Sequence, residues 1–264
     1  MTGSVSTARE GPLAFVTLAH PGKLNAMSRA MWRGLRAAFV ALQASDARCV
    51  VVRGEGGAFC AGGDISEYPD FRFEEASLRD FHETDVWGGL RALLDCDVPV
   101  VAQIEGACMG AGMEIASACD IRIAGASARF GAPIAKLGFP MAPREAQLVA
   151  QATGALTARE MLLEAAVLDA PLMLARGFLS RVVQDADVAA QALASAQRIA
   201  ALAPQAARAN KQALRRIHEP NWPPAPAGIG EAATDLIAGA YRYAAGAEHR
   251  EGVTAFIEKR KPVF

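Results

Sequence analysis

Short apolar runs alternate with segments of helical periodicity along the first half of the chain. The runs Leu13–Leu18, Cys49–Arg53 and Val98–Ile104 are rich in β-branched residues, which is typical of buried strands. The segment Arg29–Leu42 instead has apolar residues at helical spacing, and Ser28 is its expected N-cap. Strands that alternate with helices predict an α/β fold.

The second half of the chain has a different pattern. Asp120–Ala124 and Ser180–Val183 read as short strands, and helical periodicity dominates from Arg144 onward. The predicted helices cover about 144–151, 157–165, 171–176, 186–202, 205–218, 229–245 and 248–259. We therefore divide the chain into an α/β core, 1–200, and a helical C-terminal region, 201–264. A helical tail of this kind often packs against a neighbouring subunit.

Composition narrows the function classes. The chain has 264 residues, 52% of them apolar and 21% charged, which is ample for a large globular core. A net charge of −1 argues against nucleic-acid binding, and the absence of about 18 consecutive apolar residues argues against a membrane span. The five cysteines form no CxxC pair, and together with a polar N-terminus they predict a reducing, cytoplasmic setting.

Two glycine-rich turns carry the candidate chemistry. In the stretch 98–120, an apolar strand runs into Gly106, Gly110 and Gly112, and Glu114 falls in the first turn of the helix that follows. The stretch 58–65, AFCAGGDI, is a second glycine turn after a strand. Such turns present free backbone N–H groups, and one from each could hold a single oxyanion. Each turn alone is also typical of an ordinary strand-to-helix connection.

Other sites are excluded by the same motifs. Neither glycine turn has the form G-x-G-x-x-G followed by an acid about 20 residues later, so a nicotinamide dinucleotide site is not expected. The four histidines are scattered at His20, His82, His218 and His249, and no metal-binding set is predicted.

Five ordered motifs carry a family resemblance. They are TLAHPGKLNAMS, AFCAGGDI, GACMGAGMEIASACDIRIA, ARFGAPIAKLG and the ending EGVTAFIEKRKPVF. With these motifs the chain resembles the enoyl-CoA hydratase/isomerase (crotonase) family over nearly its whole length. The resemblance implies a spiral core of ββα units with a helical trimerisation region, and a homotrimer or dimer of trimers. It also implies a coenzyme A thioester as substrate, with no separate cofactor.

The resemblance also implies site residues. The backbone N–H groups of Ala61 and Ala111 would hold the thioester oxygen, and Ala111 stands where the family usually has glycine. Coenzyme A would lie along the first turn, at Lys23, Leu24, Ala61, Gly62, Gly63, Asp64 and Ile65. Phe256 and Lys259 would reach the nucleotide from a neighbouring subunit, although a solvated basic C-terminus is the commoner role for such a lysine. Asp64 is also a natural helix N-cap.

The family's hydratases use two glutamates, and only one has a counterpart here. Glu114 matches the first, whereas Ile134 stands at the second position, and isoleucine cannot transfer protons. Three substitutes are open: Glu114 alone, Glu145 from the altered loop, or a side chain of the variable region (Glu67, Asp70, His82, Glu83 and Asp85). We expect Glu145 to be a solvated acid at a helix start and His82 to be a surface residue.

Three functions follow from this inventory. The leading hypothesis is an enoyl-CoA hydratase that uses Glu114 and an oxyanion hole. The replacement at Ile134 keeps open another crotonase-type reaction, namely thioester hydrolysis, decarboxylation or isomerisation. A third hypothesis is an acyl-CoA binder without turnover, which would need the two turns but not Glu114.

Overall fold

The computed structural model describes residues 2–217 and 242–264. Nine strands are present in these residues: β1 Ser4–Glu10, β2 Leu13–Ala19, β3 Cys49–Gly54, β4 Val100–Ile104, β5 Ala107–Met109, β6 Ile121–Gly125, β7 Arg129–Gly131, β8 Val167–Asp169 and β9 Arg181–Val183. Six of them form one sheet in the order β1-β2-β3-β4-β6-β9, and β5-β7-β8 form a smaller sheet. Within the larger sheet the β1–β2 pair is antiparallel and the other pairs are parallel. The predicted α/β class is confirmed.

Ten α-helices are described: α1 Arg29–Gln43, α2 Glu75–Asp80, α3 Trp87–Asp95, α4 Ala111–Ala118, α5 Pro143–Thr153, α6 Ala155–Leu163, α7 Ala170–Ala175, α8 Val188–Ala200, α9 Pro204–Ile217 and α10 Ala247–Ile257. Shorter 3₁₀ turns cover Ile65–Asp70, Ile134–Leu137, Asp185–Asp187 and Arg242–Ala245, and Phe81–Val86 forms a π-helical turn. The helical C-terminal region is thus present. The predicted helix over 229–245 lies largely outside the described residues.

Three of the strands that the sequence predicts, β2, β3 and β4, are largely buried. All residues of β4 and the first four of β3 are buried, because neighbouring strands and helices cover both faces of a parallel sheet. β1 has no such signal, since its sequence SVSTARE is mostly exposed at the edge of the sheet. It is held by backbone pairing to β2 rather than by an apolar face. The sequence analysis therefore predicted no strand in the polar N-terminus, although β1 lies there.

Helix α1 follows the sequence prediction closely. The Ser28 side chain accepts a hydrogen bond from the Met31 backbone N–H, as an N-cap does. The buried face consists of Met31, Trp32, Leu35, Phe39 and Leu42. This face packs against α3 and places Trp32 beside the candidate site described below.

The first C-terminal helix packs on the core. In α9, the Lys211 Nζ donates to the Val98 carbonyl at 2.9 Å and pairs with Asp120 at 2.8 Å. These contacts hold the helix against the residues that precede β4 and β6. The division of the chain near residue 200 stays a prediction, although α8 ends at Ala200 and α9 begins at Pro204.

The cysteines and the helix lengths bear on two further predictions. All five cysteines are buried and free, as expected for Cys49, Cys108 and Cys119. Across the described ranges, the helices are all too short or too polar to cross a membrane.

Candidate active site

The two glycine turns meet in space. The Cys60 N–H donates to the Ala107 carbonyl at 2.9 Å, and the Met109 N–H donates to the Cys60 carbonyl at 2.8 Å. A Cβ atom at Gly112 would lie 2.5 Å from the Cys60 carbonyl oxygen, so only glycine permits this approach. Residues 58–64 and 106–112 therefore form one backbone unit, which we call the paired glycine turns.

The paired glycine turns offer two free amides, at Gly63 and Ala111. Ala111 was predicted as a donor, but the other predicted donor was Ala61 rather than Gly63. The Ala61 N–H donates to the Leu24 carbonyl at 2.9 Å, so it is not available to a ligand and its prediction as an oxyanion donor is wrong. The N–H groups of Gly63 and Ala111 have no acceptor within the described residues, and both residues line the same cavity. The signal in the sequence was the Gly-Gly pair, because Gly62 has a φ of +120°, which favours glycine and lets the turn reverse before Gly63.

A cavity of about 340 Å³ opens at these amides. Its wall is mainly aromatic and aliphatic, with contributions from Trp32, Tyr68, Phe81, Val86, Met109, Ile134, Leu137, Phe139 and Met141. A few polar side chains also face it, namely Arg72, His82, Glu114 and Lys136. An apolar pocket with a small number of placed polar groups is the usual form of a small-molecule site.

Glu114 lies in the first turn of α4 and is partly accessible from this cavity. Burial, and to a smaller extent the nearby charge of Glu145, together raise the pKa of Glu114 to about 8. A helix N-terminus would lower the pKa of an acid, so desolvation outweighs the dipole here. Glu114 is therefore mostly protonated at neutral pH and can deliver a proton.

Ile134, where the family resemblance leads one to expect a second acid, also lines this cavity. Ile134 begins the 3₁₀ turn Ile134–Leu137 and lines the cavity with a hydrocarbon side chain. The chain then continues through Phe139 and Met141, which also line it, to the start of α5 at Pro143. We call residues 133–145 the far wall.

The predictions of a solvated Glu145 and a surface His82 are both wrong. Glu145 is 2% exposed rather than solvated, because α5 packs against α4 and turns this side chain inward. Its Oε1 lies 3.2 Å from the His82 Nδ1. His82, on the π-helical turn Phe81–Val86, lines the cavity and is not a surface residue. Residue spacing gave no sign of this pair, since the partners are 63 positions apart.

Three of the four acids of the variable region have structural partners, and the fourth is exposed. Glu67 accepts a hydrogen bond from the Arg29 backbone N–H at 2.8 Å, at the start of α1. Asp85 is buried and pairs with Arg29 and Arg33. Glu83 pairs with Arg144 at 3.4 Å, and Asp70 is exposed. Of these candidates only His82 lines the cavity.

The residues expected along coenzyme A form a connected group. The Lys23 Nζ donates to Asp64 Oδ2 at 2.7 Å and to the Ser66 Oγ at 2.7 Å. Asp64 accepts from the Ser66 N–H and caps the 3₁₀ turn that begins at Ile65, which confirms the N-cap prediction. Burial alone would raise the pKa of Asp64, but the hydrogen bonds from Lys23 and Ser66 outweigh it and hold that pKa below its ordinary value.

Leu24 and Ile65 are more than half exposed, and Ile65 with Gly62 and Gly63 lines the cavity. An exposed apolar pair beside a cavity of this kind suits the chain of an extended ligand. Phe256 is 86% exposed on α10 and Lys259 follows that helix. Neither lines the cavity of its own chain.

Two cavity residues were missed by sequence reasoning. The Tyr68 hydroxyl lies so close to Gly63 that a side chain there would collide with it. Arg72 stacks between two rings, with its Cζ 4.5 Å from the Tyr68 centroid and 3.6 Å from the Phe139 centroid. Both lie in the variable segment after Asp64, where periodicity gave little information.

Comparisons with known proteins agree with this geometry. The sequence profile described as enoyl-CoA hydratase/isomerase matches residues 8–264. A probable enoyl-CoA hydratase of Mycobacterium bovis is 31% identical over 262 residues, which is 99% of this chain and 97% of that protein. A short-chain-enoyl-CoA hydratase of Clostridium acetobutylicum is 30% identical over 260 residues, covering 98% of this chain and 96% of its own.

Solved structures share the fold. The crystal structure of an enoyl-CoA hydratase/carnitine racemase from Magnetospirillum magneticum superimposes with a TM-score of 0.91 at 35% identity. The match covers 100% of this chain and 96% of that one. The spiral α/β core implied by the motifs is therefore confirmed as the fold.

Proposed function

The chain belongs to the enoyl-CoA hydratase/isomerase family, and from that membership we propose that it adds water across the 2,3-double bond of an enoyl-CoA thioester. The observation that carries the proposal is the placement of Glu114, whose burial raises its pKa to about 8, in the same cavity as two free backbone amides. An acid and an oxyanion hole are the two things that the reaction needs at C2 and at the thioester oxygen.

The amides of Gly63 and Ala111 would hold the thioester oxygen. When water adds at C3, negative charge moves onto this oxygen as an enolate. Two preorganised N–H donors stabilise that charge, and losing one such donor costs about 3–4 kcal/mol in typical enzymes. Because the donors are backbone atoms, the methyl group of Ala111 does not impair donation.

Glu114 would then give its proton to C2. A carboxyl group with a pKa of about 8 is largely protonated at pH 7, so it is ready to act as an acid without first taking up a proton. After the transfer, the Glu114 carboxylate takes up the proton that the attacking water releases, which restores the carboxylic acid.

Ile134 favours a second candidate. A hydrocarbon at the position of the family's second acid also suits thioester hydrolysis, decarboxylation or isomerisation, and acyl-CoA binding without turnover. These share the oxyanion hole but differ in their products. Free coenzyme A would identify hydrolysis, and loss of carbon dioxide from a carboxylated acyl group would identify decarboxylation.

Hydration of crotonyl-CoA and longer enoyl-CoA thioesters tests the proposal. We expect loss of the enoyl absorbance, with a fall in kcat of about 10²–10⁴-fold in Glu114→Gln. Glu164→Gln, at an exposed glutamate after α6, is the matched control and should leave kcat unchanged. Turnover that survives Glu114→Gln would refute the assigned role. Binding without any turnover across the series would refute hydratase activity itself.

A neighbouring subunit would complete the binding site for the nucleotide of coenzyme A. Phe256 and Lys259 are exposed and do not line their own cavity, which suits contact with coenzyme A bound to another copy in a trimer or a dimer of trimers. Sedimentation gives the oligomeric state. Phe256→Ala should raise KM for the coenzyme A thioester several-fold and leave KM for the pantetheine thioester, which lacks the nucleotide, unchanged.

A further inference from the structure

Glu145 is a buried carboxylate with a single partner. It is 2% exposed, and across the described ranges its one hydrogen bond is to the His82 Nδ1, at 3.2 Å. A buried carboxylate without a donor is costly, so the pairing requires the hydrogen on Nδ1. This requirement fixes the tautomer. In a neutral His82, Nε2 then carries no hydrogen, and its lone pair can accept a proton.

The ring of His82 is also held in place. The Phe81 ring makes an edge contact with it at a centroid distance of 5.1 Å. His82 lines the same cavity as Glu114 and Ile134. The cavity therefore contains a histidine oriented by a carboxylate, and it is the same cavity in which Ile134 stands at the position of the family's second glutamate.

We infer that His82, oriented by Glu145, is the second proton-transfer group of this site and replaces the acid absent at Ile134. The inference rests on the proposed hydration and names the group that accepts the proton of the attacking water. His82 is the catalytic residue in this assignment, and Glu145 is a positioning residue.

The proton inventory balances with this assignment. His82 Nε2 takes one proton from water as the water oxygen bonds to C3, and the electrons of the double bond move to the thioester oxygen as an enolate. Collapse of the enolate takes the Glu114 proton at C2. The imidazolium proton then returns to the Glu114 carboxylate through solvent, and both groups regain their starting states. The net change is the addition of one water molecule.

The charges around the two groups fit these roles. Glu114 is faced by Glu145 from α5, by Tyr68 from the 3₁₀ turn and by Cys60 from the first turn. Burial first, and then the negative Glu145, favour the protonated form of Glu114. His82 faces Glu145, and the Arg144–Glu83 pair lies at its neighbouring positions on the same two elements. Glu145 thus keeps the proton on Glu114 while it orients His82.

His82→Asn is the first test, because asparagine keeps a polar side chain but cannot take a proton. We expect kcat for crotonyl-CoA hydration to fall about 10²–10³-fold with KM within about twofold, and added imidazole to restore part of the rate. Glu83→Gln is the matched control, being the next residue and half exposed. It should leave kcat and the pH profile unchanged.

Exchange of the C2 hydrogens of butyryl-CoA in D₂O separates His82 from Glu114. This exchange needs the oxyanion hole and Glu114 but no water addition. His82→Asn should therefore keep the exchange and lose hydration, whereas Glu114→Gln should lose both. Retained exchange also shows that the variant is folded. If His82→Asn loses both activities, or keeps more than half of the hydration, the inference is overturned.

Glu145→Gln tests the positioning role. It removes the negative charge beside Glu114, so the high-pH limb of kcat should move to lower pH, and hydration should fall more than exchange. An unchanged pH profile would overturn the role of Glu145. If the wild-type protein itself does not hydrate enoyl-CoA, the proposed function is refuted instead. Analysis of the products formed by the wild-type protein distinguishes this result from a failure of the inference about His82.

Discussion

The paired glycine turns and the far wall face each other across one cavity, yet they differ in how they are made. The turns offer backbone amides at Gly63 and Ala111, held by main-chain hydrogen bonds at Cys60. The far wall and the elements packed against it offer side chains, with Ile134 at the expected acid position and Glu145 buried behind His82. Under the proposed function, oxygen binding would rest on the backbone of the fold, whereas proton transfer would rest on side chains that substitution can replace.

The difference has a physical origin. A backbone amide donor is positioned by all the hydrogen bonds of its turn. A substitution elsewhere in the chain therefore rarely provides an equivalent donor. A proton can be carried by a carboxyl group or an imidazole from any element that reaches the cavity. Under the proposed function, the amides at Gly63 and Ala111 would stay in place while the proton-transfer groups change, and four predictions test this contrast.

Gly112→Ala should have the largest effect, because it separates the turns. Its Cβ would lie 2.5 Å from the Cys60 carbonyl oxygen, so the backbone must move and the Ala111 amide with it. We expect kcat/KM to fall about 10²–10³-fold. The control is Gly88→Ala in α3, whose Cβ would lie 3.5 Å from the flexible Arg36 side chain. Equal kinetics in the two variants would show that the contact between the turns does not position the donor.

The pH dependence of stability should come next. The pKa of Glu114 is raised from 4.5 to about 8, so between these values the folded state holds a proton that the unfolded state has lost. The free energy of unfolding therefore falls as pH rises from about 5 to 8. Allowing for the partial exposure of Glu114, we expect roughly 2–3 kcal/mol. Urea unfolding of Glu114→Gln should lack this slope, and parallel curves for the two proteins would contradict it.

Ile134→Glu restores the missing acid and sharpens the comparison. If proton transfer has moved to His82, a third carboxyl group is not needed, and its charge would only raise the pKa of Glu114 further. We expect hydration at pH 7 to be unchanged or to fall up to about tenfold. Ile134→Gln separates polarity from charge. A gain of more than about tenfold in Ile134→Glu would mean that the far wall lacks a group the reaction requires.

Asp64→Asn should have the smallest effect. The variant keeps a capping side chain for the turn at Ile65 but loses the ion pair with Lys23. We expect a loss of stability of about 1 kcal/mol in thermal or urea unfolding, and a KM change below about threefold. The Asp64 pKa is below its ordinary value, so this contribution is present above pH 4 and disappears as pH falls further. A larger change in kcat would place Asp64 in the chemistry.

The strands show how far local pattern reaches. The runs at β2, β3 and β4 were found because parallel strands covered on both faces are continuously apolar. β1 was missed because an exposed edge strand needs only backbone pairing. The three-residue strands β5, β7 and β8 were missed, although β5 joins the two turns, whereas β9, of the same length, was predicted within Ser180–Val183.

The sequence by itself determined the α/β class, the two glycine turns and the position of Glu114 at a helix start, and the resemblance to the family marked Ile134 as the position of a missing acid. The first three follow from local composition, because glycines, caps and apolar runs act on their own neighbours. The tertiary structure decided which amides are free, since the Ala61 N–H is engaged by a carbonyl 37 residues earlier, at Leu24. It also decided that Glu145 is buried against His82, because the packing of α5 on α4 selects the face that turns inward. Burial and long-range pairing depend on the whole chain, and no local pattern records them.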